Sequence, residues 1–132
     1  MKRHIAIIIT LLLVPFSIIA QHATDSAIKK VNPLIGNWII DLRPTPEAEG
    51  YFQSFEVKSI DGNTFNGTFY GSNIKYAFIN KNWPKIYFAF STSDQSNEYY
   101  HSGYIENDRL YGLTYCPNRE FTAPWTGTKK IN

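Results

Sequence analysis

Cysteine, histidine and net charge are what this chain has least of, and each shortage excludes something. Cys116 is its one cysteine, so no internal disulfide can form and any fold must be held by burial alone. Its three histidines, His4, His22 and His101, stand far apart and have no cysteine or histidine at ligand spacing, which excludes a metal cage of the usual kind. G-x-S-x-G, a glycine-rich phosphate loop and H-E-x-x-H are all absent. No enzyme, catalytic residue, cofactor or metal is therefore expected. The chain carries 13 Lys and Arg against 11 Asp and Glu, and the excess of two is Lys2 and Arg3 at its start. Beyond them acid and base balance, so the electrostatic footprint of a nucleic-acid binder is missing. There is also no basic amphipathic segment suited to a membrane surface.

The apolar run is short and sits at the beginning. Lys2, Arg3 and His4 precede Ile5–Ile19, which is interrupted only by Thr10, Pro15 and Ser17 and followed by Ala20 and then Gln21-His22. A basic start, an apolar centre and a small residue before a polar stretch is the order of a secretory signal peptide. The run falls short of the ~20 apolar residues a bilayer needs. We therefore expect a leader over 1–20, cleaved after Ala20 or Ala23, and no stable membrane insertion afterwards. The expected location is secreted or periplasmic. Residues 21–33, QHATDSAIKKVNP, read as a flexible lead-in, and one domain is expected over 34–130.

That domain is rich in aromatics: all of the chain's three Trp and nine Tyr, and every one of its nine Phe but Phe16, lie within it. From Leu34 onward, short alternating runs are separated by turn chemistry. They are 37–43, 51–59, 64–70, 73–80, 85–91, 98–105, 109–116 and 121–128. Trp38, Ile40 and Leu42 share one face of the first, Tyr51, Phe55 and Val57 of the second, and Phe65, Gly67 and Phe69 of the third. In the fourth, Ile74, Tyr76 and Phe78 oppose Lys75 and Ala77; in the fifth, Ile86, Phe88 and Phe90 align. Short links favour antiparallel neighbours, and closing the sheet removes both exposed edges. The sequence predicts an all-β fold, an eight-stranded antiparallel up-and-down barrel, with an open two-sheet sandwich as the alternative.

Several stretches carry a family resemblance. Gly36-Asn37-Trp38-Ile39-Ile40-Asp41-Leu42 resembles the G-x-W-x-x-D-L opening of the avidin/streptavidin group within the calycin architecture. Phe65-Asn66-Gly67-Thr68-Phe69 resembles its F-x-G-T-Y strand. Ser102-Gly103-Tyr104 is similar to a T/S-G-Q/Y strand, and Trp125-Thr126-Gly127-Thr128 to the late W-K-x-T. The resemblance implies an avidin/calycin-like barrel with a small ligand at one open end. Biotin is not implied, because Ile40 and Phe69 stand where polar contacts belong, and Arg43-Pro44-Thr45-Pro46 replaces the loop serine. The segment DLRPTPEAEGYFQSF also resembles a group of exported bacterial proteins sharing a D-L-R-P-T-P stretch, which implies no activity.

Candidate residues follow from the barrel reading. Trp38, Tyr76, Phe88 and Trp125 are expected to wall a pocket, with Arg43 as an anchor for an acidic group. The Pro44–Gly50 and Trp83-Pro84 loops are its expected lid. The structural alternative for Asp41 and Arg43 is pairing with neighbouring strands or with Glu47 and Glu49. Tyr100, Tyr104, Tyr111 and Tyr115 have one parity; Tyr99, His101, Ile105, Leu110 and Cys116 have the other. One of these faces is interior, and the other packs against something such as a second copy of the chain. His101 reads as a hydrogen-bonded structural residue, and Asn66-Gly67-Thr68 as a strand segment and not a glycosylation site. The expected function is an exported, non-enzymatic binding protein for a small apolar or aromatic molecule. The alternative is a protein–protein module, such as a secreted inhibitor or an assembly subunit, with a filled core.

Overall fold

A computed structural model describes residues 31–131. The leader over 1–20 and most of the lead-in lie outside the described residues. The strands are β1 (Gly36–Asp41), β2 (Phe52–Asp61), β3 (Thr64–Phe69), β4 (Ser72–Asn73), β5 (Lys75–Asn80), β6 (Ile86–Ser93), β7 (Glu98–Glu106), β8 (Arg109–Cys116) and β9 (Phe121–Lys129). A single 3₁₀ turn, Pro117–Arg119, links β8 to β9. Every neighbouring pair is antiparallel, and β4 and β5 act together as one stave. The last strand returns to the first: Trp38 pairs with Lys129 and Asp41 with Thr126. The sheet is thus a closed eight-stranded antiparallel barrel, compatible with the avidin/calycin architecture.

One end is shut. Leu34 is wholly buried beneath Trp38, whose indole N–H donates to the Leu34 carbonyl at 2.9 Å. Lys129 closes over the outside of that ring, 5.1 Å from its centroid, and bonds the Pro33 carbonyl. Above this plug the middle of the barrel is solid. Phe55, Phe69, Phe88, Phe90 and Trp125 are each at most 3% exposed and meet with centroids 5.3–6.4 Å apart. Opposed glycines make the room. Gly103 and Gly112 face each other across β7 and β8, and a methyl group on Gly112 would lie 2.1 Å from the Trp125 ring. Cys116 is buried among these strands as a small apolar residue.

The fourth stave departs from simple alternation. Its register shifts between Lys75 and Phe78, and Tyr76 adopts a left-handed backbone with φ 51°. This bulge inserts one extra residue and reverses the parity of everything after it. Ala77 and Ile79 therefore face the core, while Tyr76 is 78% exposed and Phe78 also points outward. The inward placement of Tyr76 and Phe78 expected from strict alternation is corrected accordingly.

Trp38→Phe should keep a ring in the plug while leaving the buried Leu34 carbonyl without its donor. A loss of about 1–3 kcal/mol is expected, read as a lower denaturation midpoint with unchanged far-ultraviolet dichroism. Gly112→Ala, which forces the Trp125 ring to move, should cost about 1–3 kcal/mol or more by overpacking.

Candidate functional site

The strand directions bring four connections to the end opposite the Trp38 plug: Leu42–Tyr51, Tyr70-Gly71, Asp94–Asn97 and Pro117–Glu120. On the way to it, several inward positions carry short or polar side chains. Along β6 the inward series is Phe88, Phe90, Thr92; along β8 it is Leu110, Gly112, Thr114 and the buried Cys116; along β9 it is Trp125, Ala123 and then Phe121 at the edge. Short side chains cannot fill the bore, and a cup of about 510 Å³ remains. Its apolar walls are Leu42, Phe69, Phe121 and Ala123, and its floor is Thr92, His101 and Thr114.

The floor is one hydrogen-bonded chain. The Trp125 indole N–H donates to Thr114 Oγ1 at 3.1 Å, Thr114 Oγ1 lies 2.8 Å from His101 Nδ1, and His101 Nε2 lies 2.9 Å from Thr92 Oγ1. The imidazole packs against both Phe90, stacked at 4.6 Å, and Phe69, tilted at 4.4 Å. Burial without a charged partner lowers its pKa from 6.5 to about 4, so it is neutral at physiological pH. His101 is the hydrogen-bonded structural histidine that the sequence suggests, and it also paves the cup.

The rim is polar. Asp94 accepts the amide N–H groups of Ser96 and Asn97 and the Tyr99 hydroxyl. These bonds hold its carboxyl below the usual range, the Ser96 amide contributing most. Arg119 donates to the Tyr99 hydroxyl at 3.2 Å and lies over the Phe121 ring, 5.3 Å from its centroid. That hydroxyl bond raises its pKa further. On the opposite side of the rim, the Tyr51 and Tyr70 hydroxyls meet between β2 and β3. Tyr70 and Gly71, at φ 53° and 77°, are the two left-handed central residues of the tight turn that joins β3 to β4.

The residues picked from sequence do not assemble around this cup. Trp38 plugs the shut end, and Phe88 lies inside the packed middle. Trp125 lies beneath the floor and reaches the cup only through Thr114. Tyr76 stands on the outer wall beside Tyr100, Leu113 and Tyr115. Arg43 turns outward and pairs with Asp41, Nε to Oδ2 at 2.7 Å, which holds the Asp41 carboxyl below the usual range. Arg43 and Trp125 do share the lining of an outer depression of about 520 Å³ beneath Pro44–Pro46. The expected lid is also corrected: the Pro44–Gly50 loop stands at the open end, but Trp83-Pro84 stands at the shut end, because β5 and β6 meet there. The sequence reading passed over Thr92, Thr114, Arg119 and Phe121, and placed Tyr99 with His101 on one of the two candidate interior faces. The signal that marks the two threonines is a polar residue at an inward position of an otherwise apolar series.

Because His101 binds a proton far more weakly folded than unfolded, acid should unfold the protein through it. The unfolded chain takes up the proton near pH 6.5 and the native one only near pH 4. The stability contributed is complete above about pH 6.5 and is lost as pH falls toward 4, by about 3 kcal/mol at ~1.4 kcal/mol per pH unit. Denaturant unfolding between pH 4 and 7 should show this slope, and His101→Gln should flatten it.

Among the described residues, no three His, Cys, Asp or Glu side chains gather as a metal site. No family model, no curated protein and no solved structure matches this chain.

Proposed function

We propose that this chain is an exported, non-enzymatic binding protein that holds a small apolar or aromatic molecule in the open end of its barrel. The observation that carries the reading is the cup itself. Its volume of about 510 Å³ falls within the range of small-molecule sites, and a few polar groups converge on apolar walls. Two further features support it. The floor is neutral and held in place, since His101 is buried, hydrogen-bonded at both ring nitrogens and packed against Phe69 and Phe90. The solid aromatic layer below leaves the mouth as the place where a molecule enters the bore. The avidin-like order of motifs and the secretory-type leader agree with this reading, which places the protein in the periplasm or outside the cell. Neither nucleic acid nor a membrane is a partner in this reading.

A broad metabolite and lipid panel, titrated by tryptophan fluorescence, tests the proposal, because Trp125 donates to the cup floor. At least one compound should give a saturable change. Ala123→Trp, which fills the cup from β9, should weaken that compound more than tenfold while the melting temperature holds. Silence across the panel, or binding indifferent to Ala123→Trp, removes the reading.

A second reading, an assembly subunit, is favoured by the outer face of β6–β8. Tyr87, Tyr100, Tyr104, Tyr111 and Tyr115 line it in cross-strand contact, with Tyr104 and Tyr111 stacked at 5.2 Å. Its bordering lysines are already neutralised, Lys75 by Glu98 and Lys85 by Glu106. Such a face does not repel a copy of itself. Light scattering should then report a dimer that Tyr104→Lys with Tyr111→Lys returns to monomer. A monomer at all concentrations excludes this second reading.

A further inference from the structure

The cup floor holds one hydrogen more than its bonds use. The Trp125–Thr114–His101–Thr92 chain carries four: the indole N–H, the single N–H of a neutral imidazole and two hydroxyl hydrogens. It has three contacts, at 3.1, 2.8 and 2.9 Å, and each takes one hydrogen. If the imidazole hydrogen is on Nδ1, it donates to Thr114 and Thr92 donates to Nε2, so the Thr114 hydrogen is spare. With the hydrogen on Nε2, it donates to Thr92 and Thr114 donates to Nδ1, so the Thr92 hydrogen is spare. Either tautomer leaves one hydroxyl hydrogen with no acceptor among the described residues. Both threonines are 5% exposed, and both line the cup.

The rim offers donors as well. Arg119 spends one N–H on Tyr99, braces its plane on Phe121 and forms no ion pair among the described residues. The nearby acid cannot serve a cationic ligand equally well, because Asp94 already accepts two amides and a hydroxyl. Inner and outer ends therefore both ask for oxygen acceptors, and the single guanidinium suits a carboxylate.

We propose that the molecule held in the cup has an apolar or aromatic body, a carbonyl-type oxygen at its inner end and a carboxylate at its outer end. The inner oxygen accepts the spare threonine hydrogen, and the carboxylate meets Arg119. This assignment rests on the binding reading above.

Three naphthalene probes of similar size, followed by titration calorimetry, test it. They are 6-acetyl-2-naphthoic acid, 6-isopropyl-2-naphthoic acid, which lacks the inner acceptor, and 6-acetyl-2-naphthylmethylamine, whose head charge is reversed. The acetyl acid should bind about tenfold tighter than either of the others. Arg119→Gln, a rim substitution outside the packed core, should erase the preference for acid over amine and leave the preference for acetyl over isopropyl. Equal affinities, or a preference for the amine, overturn the two-acceptor assignment while a binding cup stands. If none of the three binds at millimolar concentration the assignment also fails, and the panel with Ala123→Trp decides separately whether the cup binds anything.

Discussion

The pairing of β1 with β9 is the constraint on which the rest depends. Trp38 through Asp41 take their partners from Thr126 through Lys129, and with that ladder no long edge is left unpaired. Closure also fixes the bore. Eight staves enclose a space that side chains can just fill, so the choice of inward residue at each level decides whether that level is solid or hollow. With Cys116 as the sole cysteine, nothing covalent reinforces the ring. Its stability comes from what the bore contains, and the aromatic layer is placed where burial is deepest. Gly103 and Gly112 belong to the same logic, for they give up side-chain volume on one wall so that Phe88 and Trp125 can occupy it from the others.

The change from solid to hollow comes from residue size. Below the floor large phenylalanine and tryptophan rings fill the bore among aliphatic side chains; at the floor the inward residues are threonine and histidine; above it are alanine at 123 and side chains that lean against the rim. No single residue creates the cup. The chain Trp125–Thr114–His101–Thr92 forms the boundary, satisfying the indole N–H of the apolar layer and presenting hydroxyls to the space above. It also keeps the boundary uncharged, since an imidazole buried against two phenylalanines resists its proton.

Much of the fold was legible in the sequence because alternation and turn chemistry are local. The eight runs and the shared faces of Phe65 with Phe69 and of Phe88 with Phe90 needed no tertiary knowledge. The fourth run misled because a left-handed tyrosine is invisible in composition: nothing in IKYAFIN announces that Tyr76 will carry φ 51° and turn Ala77 inward. The candidate site was less legible, for a geometric reason. Selecting tryptophan and phenylalanine as walls selected the residues large enough to fill the bore, which for Trp38, Phe88 and Trp125 is what they do. A hollow is marked by the opposite sign, small and polar residues at inward positions, and it becomes readable only once the strand ends are sorted between the two ends of the barrel. Trp83 and Pro44 were assigned to one lid for want of that sorting.

A spare buried hydroxyl hydrogen is a cost of about 1–3 kcal/mol when it meets no acceptor. Valine at either threonine position would be nearly isosteric, but it would not balance the floor. Without the Thr114 hydroxyl the indole N–H and one imidazole nitrogen lose their partner, and without the Thr92 hydroxyl the other nitrogen does. The surplus is therefore a property of the whole chain of four residues and cannot be removed by trimming one of them. It is relieved only by an acceptor arriving from the open side, which ties the polarity of the floor to whatever enters the mouth. The barrel fold alone does not imply that tie, since the same architecture serves unrelated functions; it comes from the four hydrogens and three contacts at this one level of the bore.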